Sequence, residues 1–275
     1  MADEAIAEYR KAIALEPKDA EAHSNLAAEL VLKGRLDEAI AELRTAVGLQ
    51  PDYAEAHCNL GLVLHLRGDF AEALPALKHG HELGAKRKDW HCPSAQWVQQ
   101  CEQLLALDKK LPAILKGETE PIDNQERLQL VYLCYYKKRY VAAVGFFTDA
   151  FAAEPKLADD PNASPCSEAA RSAALVAAGK GEDGAKLDDK VRARLRQQAL
   201  TWLRADSIAW SKLLGKERDK ARETVLKTMH HWQQDADLAN VRGDPLANLP
   251  EAEQKEWLKF WGDVEALLKR AKEEQ

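Results

Sequence analysis

Four groups of side chains have types and spacings that could do chemistry. His79, His81, His91 and Cys92 lie close together in sequence. Imidazole and thiolate are zinc ligands, but a zinc ion needs about four of them converging at roughly 2.0–2.3 Å. On a helix His79 and His81 project well apart, which predicts surface histidines and no metal site. Cys58 would be a nucleophile only if a neighbouring cation lowered its pKa. His57 is adjacent but projects about 100° away around a helix, so the thiol is expected to be inert. Lys190, Arg192, Arg194 and Arg196 begin a basic run continued by Arg204, Lys212, Lys216, Arg218, Lys220 and Arg222. Such a run could bind phosphate or an acidic partner. Interleaved Asp189, Asp206, Glu217, Asp219 and Glu223, with no aromatic interleaving, predict instead a solvated helix face carrying internal ion pairs. The fourth group is Asn25 and Asn59. A side-chain amide offers a donor and an acceptor together, which suits the backbone of an extended peptide.

The two asparagines are thirty-four residues apart, and that interval organises the chain. Shifted by it, Ala20 falls on Ala54, His23 on His57, Leu26 on Leu60 and Leu30 on Leu64. Gly34 meets Gly68, Glu38-Ala39 meets Glu72-Ala73, and Pro17 meets Pro51. Leu26 and Leu30, like Leu60 and Leu64, form an i, i+4 apolar stripe on a first helix. Ala27, Gly61, Ala39 and Ala73 are small where helices must approach to roughly 8–10 Å between axes. Gly34 and Gly68 are suited to end the first helix in the left-handed conformation. This pattern resembles the tetratricopeptide repeat (TPR), a helix–turn–helix that buries its apolar face by stacking on its neighbours. The fold class expected is therefore an all-α, TPR-like solenoid with a tryptophan-rich helical C-terminal cap.

Composition bounds the rest. Acids exceed bases by six, which argues against bulk nucleic-acid binding. The five cysteines are odd in number and form no CxxC pair, so a disulfide framework is not expected. No stretch approaches the roughly 20 apolar residues of a membrane span, and residues 1–15 lack a signal-type apolar run. A cytoplasmic protein is the expectation.

In chain order, a half repeat covers 3–17, with Ala5, Tyr9 and Ala12 in the places of Ala39, Leu43 and Ala46. Its first helix is missing, which points to a boundary cutting a longer array, or to a second copy covering the open face. Full repeats occupy 20–51 and 54–85. Divergent helices follow over 93–115: one from Cys92-Pro93-Ser94 to about Asp108, with a stripe of Trp97, Cys101, Leu104 and Leu105, then a short turn broken by Pro112. A degenerate repeat over 124–155 has Lys138 in place of the turn glycine. These make a first domain, 1–155. The second, 156–275, begins with a flexible joint at Asp159–Pro165. A repeat-like pair follows: helix 167–178, an exposed loop Lys180–Gly184, and a helix from Asp188 or Asp189 to about Ala205. Short helices 207–214 and 218–233 come next. A final helix to about Lys272 has a stripe of Trp257, Phe260, Trp261, Val264, Leu267 and Leu268. Five of the seven tryptophans fall in this region, which suits a cap sealing the end of a stack.

Several stretches carry a narrower likeness: Lys137-Lys138-Arg139-Tyr140, Ala178–Asp183, Leu200–Asp206, His231–Asp235 and Leu249–Glu253. They resemble the C-terminal repeat region of large planctomycete serine/threonine protein kinases. The chain has no Gly-rich phosphate loop, His-Arg-Asp or Asp-Phe-Gly, and Arg67-Gly68-Asp69-Phe70 reads as the repeat turn. The resemblance thus implies a regulatory or docking region in a bacterial, kinase-associated setting and carries over no catalytic residue.

No Ser-His-Asp or paired-carboxylate set assembles from local spacing, so no enzyme, cofactor or metal is expected. The favoured function is a scaffold binding a protein or peptide segment in a concave groove. That groove is lined by Ser24, Asn25 and Ala28 in one repeat and Cys58, Asn59, Leu62 and His65 in the next. Repeats that clamp a terminal carboxylate use lysine and arginine here, so Ser24 and Ala28 predict an internal segment as ligand. The alternatives are an oligomerisation or autoregulatory arm of a larger kinase, self-associating through the half repeat, and a helical enzyme or ligand-binding domain in the C-terminal part.

Overall fold

The small residues of the repeat decide how the helices meet. In the computed structural model, which describes residues 2–159, 161, 165–184 and 186–273 but not the side chains of residues 2, 218 and 219, the chain forms two compact units. They span Met1–Glu118 and Thr119–Gln275. The boundary expected after residue 155 falls inside the second unit. Residues 160 and 162–164 of the expected joint lie outside the described residues.

The first unit is a stack of antiparallel helices: α1 (Ala2–Leu15), α2 (Ala20–Leu32), α3 (Leu36–Leu49), α4 (Ala54–Arg67), α5 (Phe70–Gly84) and α6 (Ser94–Leu115). Asp19 caps α2, accepting from the amides of Glu21 at 2.9 Å and Ala22 at 3.0 Å. Both glycine turns are left-handed, with φ of 69° at Gly34 and 89° at Gly68. Each closes with the same two bonds. Gly34 N donates to Val31 O and Arg35 N to Leu30 O, both at 2.9 Å. Gly68 N donates to His65 O at 3.0 Å and Asp69 N to Leu64 O at 2.9 Å.

Ala27, Ala39, Ala46 and Ala73 are fully buried. A Cβ on Gly61 would sit 2.5 Å from Leu77 Cγ, and one on Gly80 would sit 2.6 Å from Cys58 Sγ. The α4–α5 hairpin therefore closes only because both positions lack a side chain. Two ion-pair ladders repeat in register on the exposed faces. Arg10–Glu38 at 3.3 Å recurs as Arg44–Glu72 at 2.7 Å, and Asp3–Lys33 at 2.7 Å recurs as Asp37–Arg67 at 2.8 Å. Such exposed pairs contribute about 0–1 kcal/mol each; the burial between helices dominates.

Two readings of α6 are corrected. The helix runs unbroken through Pro112, as α5 does through Pro75. Both prolines sit on exposed faces, where water can satisfy the carbonyl that loses its partner. The buried face of α6 is Ser94, Cys101, Leu107 and Leu111, while Trp97, Leu104 and Leu105 are only half-buried. Aligned on their first residues, the buried Ala20, Ala54 and Ser94, α2, α4 and α6 place Ala27, Gly61 and Cys101 at one position. The loop before α6 is six residues longer than the repeat requires, which hid this register from a fixed-period search.

The second unit contains α7 (Asn124–Tyr136), α8 (Tyr140–Ala153), α9 (Cys166–Ala177), α10 (Asp189–Lys216), α11 (Arg218–Gln234) and α12 (Glu251–Lys272), with short 3-10 turns at Pro155–Ala158, Ala236–Val241 and Asp244–Asn248. Leu130, Cys134, Ala143, Phe147 and Ala150 are buried at repeat positions. Asp188 caps α10 through Val191 N at 2.8 Å. α10 does not stop near Ala205; it continues to Lys216, because no glycine or proline lies between Asp189 and Leu214 and Asp206 is buried within it. The expected exposed loop Lys180–Gly184 is held in place. Asp183 caps α8, accepting from Val141 N and Ala142 N at 3.2 Å each, and Glu182 N donates to Lys138 O at 2.9 Å. Two aromatic clusters seal the unit. Phe147 and Phe151 meet Trp202, with centroids 6.2 and 5.7 Å away, and Phe260 is ringed by Trp232, Trp257 and Trp261.

Among the described residues Lys138 is the one non-glycine with a left-handed backbone, at φ 53°. Lys138→Gly should raise stability by about 0.5–1 kcal/mol in urea titration, since glycine adopts this conformation without steric cost. Ala39→Leu or Ala73→Leu should lower it by about 1–3 kcal/mol through overpacking. An unchanged midpoint for both leucine variants would contradict the helix register.

Candidate functional site

The expected groove residues divide by burial. Ser24 is buried, and Cys58 is 2% exposed against Gly80. Neither can face a ligand: Cys58 packs against Gly80 of α5, and the buried Ser24 side chain is hydrogen-bonded to Tyr53. Asn25, Leu62 and His65 are half-buried, and Ala28 and Asn59 are exposed. Neither asparagine amide has a hydrogen-bond partner among the described residues. Two residues were missed. Leu32 is 75% exposed and Leu66 is 44% exposed. Each lies seven residues beyond its asparagine, two helical turns later on nearly the same face. The signal was present in the thirty-four-residue spacing, but exposure is not visible in sequence.

The electrostatics of this face are one-sided. α2 contains no lysine or arginine. α4 has Arg67 alone, and that guanidinium is held by Asp37 and Asp69. Glu21 and Glu29 have no cationic partner among the described residues. The histidines below serve the stack. His23 Nε2 donates to Pro17 O at 3.3 Å and His57 Nε2 to Pro51 O at 2.9 Å. Each ties a first helix to the end of the preceding repeat. Burial holds the His57 imidazole below its ordinary pKa.

The other chemical groups are spoken for. The His57 ring meets His79 edge-on with centroids 4.5 Å apart, while His81 Nδ1 lies 2.8 Å from Ser94 Oγ. Ser94 and His81 look like half of a nucleophile pair, a contact that sequence spacing did not disclose. The serine is buried, however, and Trp90 Nε1 also donates to its hydroxyl at 3.0 Å. The trio fastens the α5–α6 turn, and Trp90 lies where a side chain on Gly84 would be. Burial pushes the Cys58 thiol up to about 12, so the thiolate is scarce at neutral pH. The basic run is largely structural. Arg196 pairs with Glu253, Arg204 with Glu256 at 2.6 Å, and Arg192 and Arg222 donate to backbone carbonyls. The side chain of Arg218 lies outside the described residues. A cleft of about 540 Å³ between α10 and α12 has Arg204 and Glu256 among its lining, already paired with each other. Among the described residues no three His, Cys, Asp or Glu side chains are grouped to hold a metal, and no helix is long and apolar enough to cross a membrane.

Residues 2–28 and 29–68 match a family model described as TPR repeat. TPR repeats are thus present in the first unit. No curated protein matches the chain in sequence. Among solved structures, YrrB, a TPR protein with an unusual peptide-binding site, is 20% identical over 73% of this chain and 91% of that one, with a TM-score of 0.31. The TPR2AB domain of yeast Sti1, in complex with a pHSP90, is 18% identical over 96% and 92%, with a TM-score of 0.35. Yeast Tom70 is 17% identical over 98% of this chain and 65% of its own, with a TM-score of 0.33.

Asp206 is the most perturbed acid in the second unit. It is 2% exposed, Oδ1 lacks a hydrogen-bond partner, and burial, with Glu168 nearby, raises its pKa to about 7. The folded state therefore holds a proton that the unfolded state, with an ordinary value of 3.8, releases. Stability from this group is complete below about pH 4 and is lost as pH rises to about 7. Asp206→Asn should flatten that slope and raise stability at pH 8 by on the order of 2–4 kcal/mol, read from urea midpoints across pH. A slope unchanged by the substitution would contradict the assignment.

Proposed function

We propose that the protein is a non-catalytic scaffold whose first unit binds an internal, extended segment of a partner. The observation that carries this is the pair of unpartnered amides at one repeat position, Asn25 on α2 and Asn59 on α4. An amide left unsatisfied by its own protein is available to the C=O and N–H of a bound backbone. The shortage of free cations on the same face disfavours a terminal carboxylate as the ligand. The likeness of residues 137–140, 178–183, 200–206, 231–235 and 249–253 to kinase-appended repeat regions supports a docking or autoregulatory arm of a bacterial kinase as the setting, with a cytoplasmic location.

A second reading, self-association through α1, has its own observation. Ala39, Leu43 and Ala46 of α3 are fully buried, whereas their equivalents Ala5, Tyr9 and Ala12 in α1 are half-buried. The outermost residues of α1, Glu4, Ala7, Glu8 and Lys11, are exposed, so the open surface is mixed rather than apolar. Light scattering at high concentration should show dimers that Tyr9→Glu dissolves; a strict monomer would rule this reading out.

For the groove, a pull-down with the whole chain identifies the partner. Asn25→Ala with Asn59→Ala should then weaken its binding by about tenfold or more, at about 1 kcal/mol per lost hydrogen bond, with helicity unchanged. Unchanged affinity would remove the groove from consideration.

A further inference from the structure

Two charged groups in the second unit are buried without a matching hydrogen bond. Asp235, 9% exposed, joins α11 to the 3-10 turn Ala236–Val241. Its Oδ1 accepts from Asp237 N at 2.9 Å, whereas its buried Oδ2 has no hydrogen-bond partner among the described residues. Arg171 on α9 is 24% exposed, and its Nε is likewise buried and unmet. Among the described residues Arg171 donates no hydrogen bond at all. It stands 3.4 Å from Glu168 Oε1 and 3.7 Å from Asp235 Oδ2. Charge-assisted hydrogen bonds close to about 2.7–2.9 Å. The charged groups therefore surround a space instead of closing on one another.

That space is a cavity of about 310 Å³ between α9 and α11, at the lower end of the roughly 300–1,000 Å³ that holds small molecules. Arg171, Glu168 and Asp235 line it with Thr228, His231 and Trp232. Trp232 is 2% exposed and supplies an apolar wall. The Thr228 hydroxyl makes no hydrogen bond among the described residues. Lys227 also borders the cavity, but Glu223 holds its ammonium at 2.6 Å. His231 Nε2 stands 3.4 Å from Asp235 Oδ2, and its side chain is 63% exposed. An exposed ring can turn aside within nanoseconds and open the way to that oxygen.

Charge selects the ligand. A simple anion would satisfy Arg171 but lie against two carboxylates. A simple cation would satisfy Asp235 but lie against the guanidinium. A molecule with one charge of each sign meets both unmet groups and leaves the cavity's balance unchanged. We infer that this cavity binds a free α-amino acid with an apolar side chain. Its carboxylate is held by Arg171 and Thr228, its ammonium by Asp235 and Glu168, and its side chain rests on Trp232. The site belongs to the second unit alone and does not depend on Asn25 or Asn59.

The test is isothermal titration calorimetry on the whole chain with the standard amino acids. L-leucine is the reference probe. Leucinamide keeps only its ammonium, and 4-methylpentanoate keeps only its carboxylate. L-leucine should bind about tenfold or more tighter than either. Arg171→Gln should weaken L-leucine by about tenfold or more and leave leucinamide unchanged. Asp235→Asn should weaken L-leucine to a similar degree and leave 4-methylpentanoate unchanged, each as expected for losing one charge-assisted bond. Asparagine retains the oxygen that accepts from Asp237 N, so circular dichroism should be unchanged. Should a variant unfold, the comparison of the three probes on the wild-type chain still decides. Equal binding of either one-charge analogue, wild-type affinity in both variants, or no binding of any amino acid overturns this assignment.

Discussion

The first unit depends on the close approach of paired helices at positions that cannot carry a large side chain. Ala27 and Ala39 are fully buried in one repeat, and Gly61 and Ala73 hold the same places in the next. At Gly61 and Gly80 even a methyl group would collide with Leu77 or Cys58. This contact fixes which face of each first helix turns inward. Once Leu26, Ala27 and Leu30 are committed to the interior, the stripe of Asn25, Ala28 and Leu32 must face outward by helical geometry. The proposed recognition surface is thus a consequence of packing on the other side of the same helix. Cys58 and Ser24 show the narrowness of the boundary: one residue before each asparagine, the side chain belongs to the core.

Turn chemistry decides how far a repeat can diverge. Gly34, Gly68 and Gly179 all adopt positive φ and close the preceding helix with the same pair of backbone bonds. Lys138 makes those bonds too, donating to Tyr135 O at 3.0 Å while Arg139 donates to Cys134 O at 2.8 Å. The cost of a left-handed non-glycine, about 1–2 kcal/mol, is offset by the loop that follows α9. That loop gives a hydrogen bond to Lys138 O, lays Gly181 beside Tyr140, and places Asp183 on the open amides at the start of α8. Two stretches that look unrelated in sequence, 137–140 and 178–183, are therefore one structural device.

Charge is distributed in a way that separates scaffold from surface. Most arginines of the second unit that seemed free for a partner are consumed by α12 or by backbone carbonyls. The ladders on the first unit neutralise its flanks in register. What stays unneutralised on α2 is acidic, and it borders the asparagine and leucine line.

The sequence by itself determined the repeat, its helix boundaries, its turn glycines, and the burial of Leu30, Leu64, Ala39 and Ala73, because these follow from local propensity and a fixed period. It also determined the stripe of α12, where six apolar residues at helical spacing left one arrangement. Only the tertiary structure decided the rest. A six-residue longer loop moved α6 out of period, and a proline on an exposed face allowed α6 to continue where a break was expected. Asp206 fell between two expected helices but lies buried within the single helix α10. The site was half legible. The asparagines recur at the repeat spacing and could be found by it, whereas the exclusion of Ser24 and Cys58 and the exposure of Leu32 and Leu66 depend on which neighbours cover them. Periodicity reports which residues are equivalent; only the packed neighbours determine which of them meet solvent.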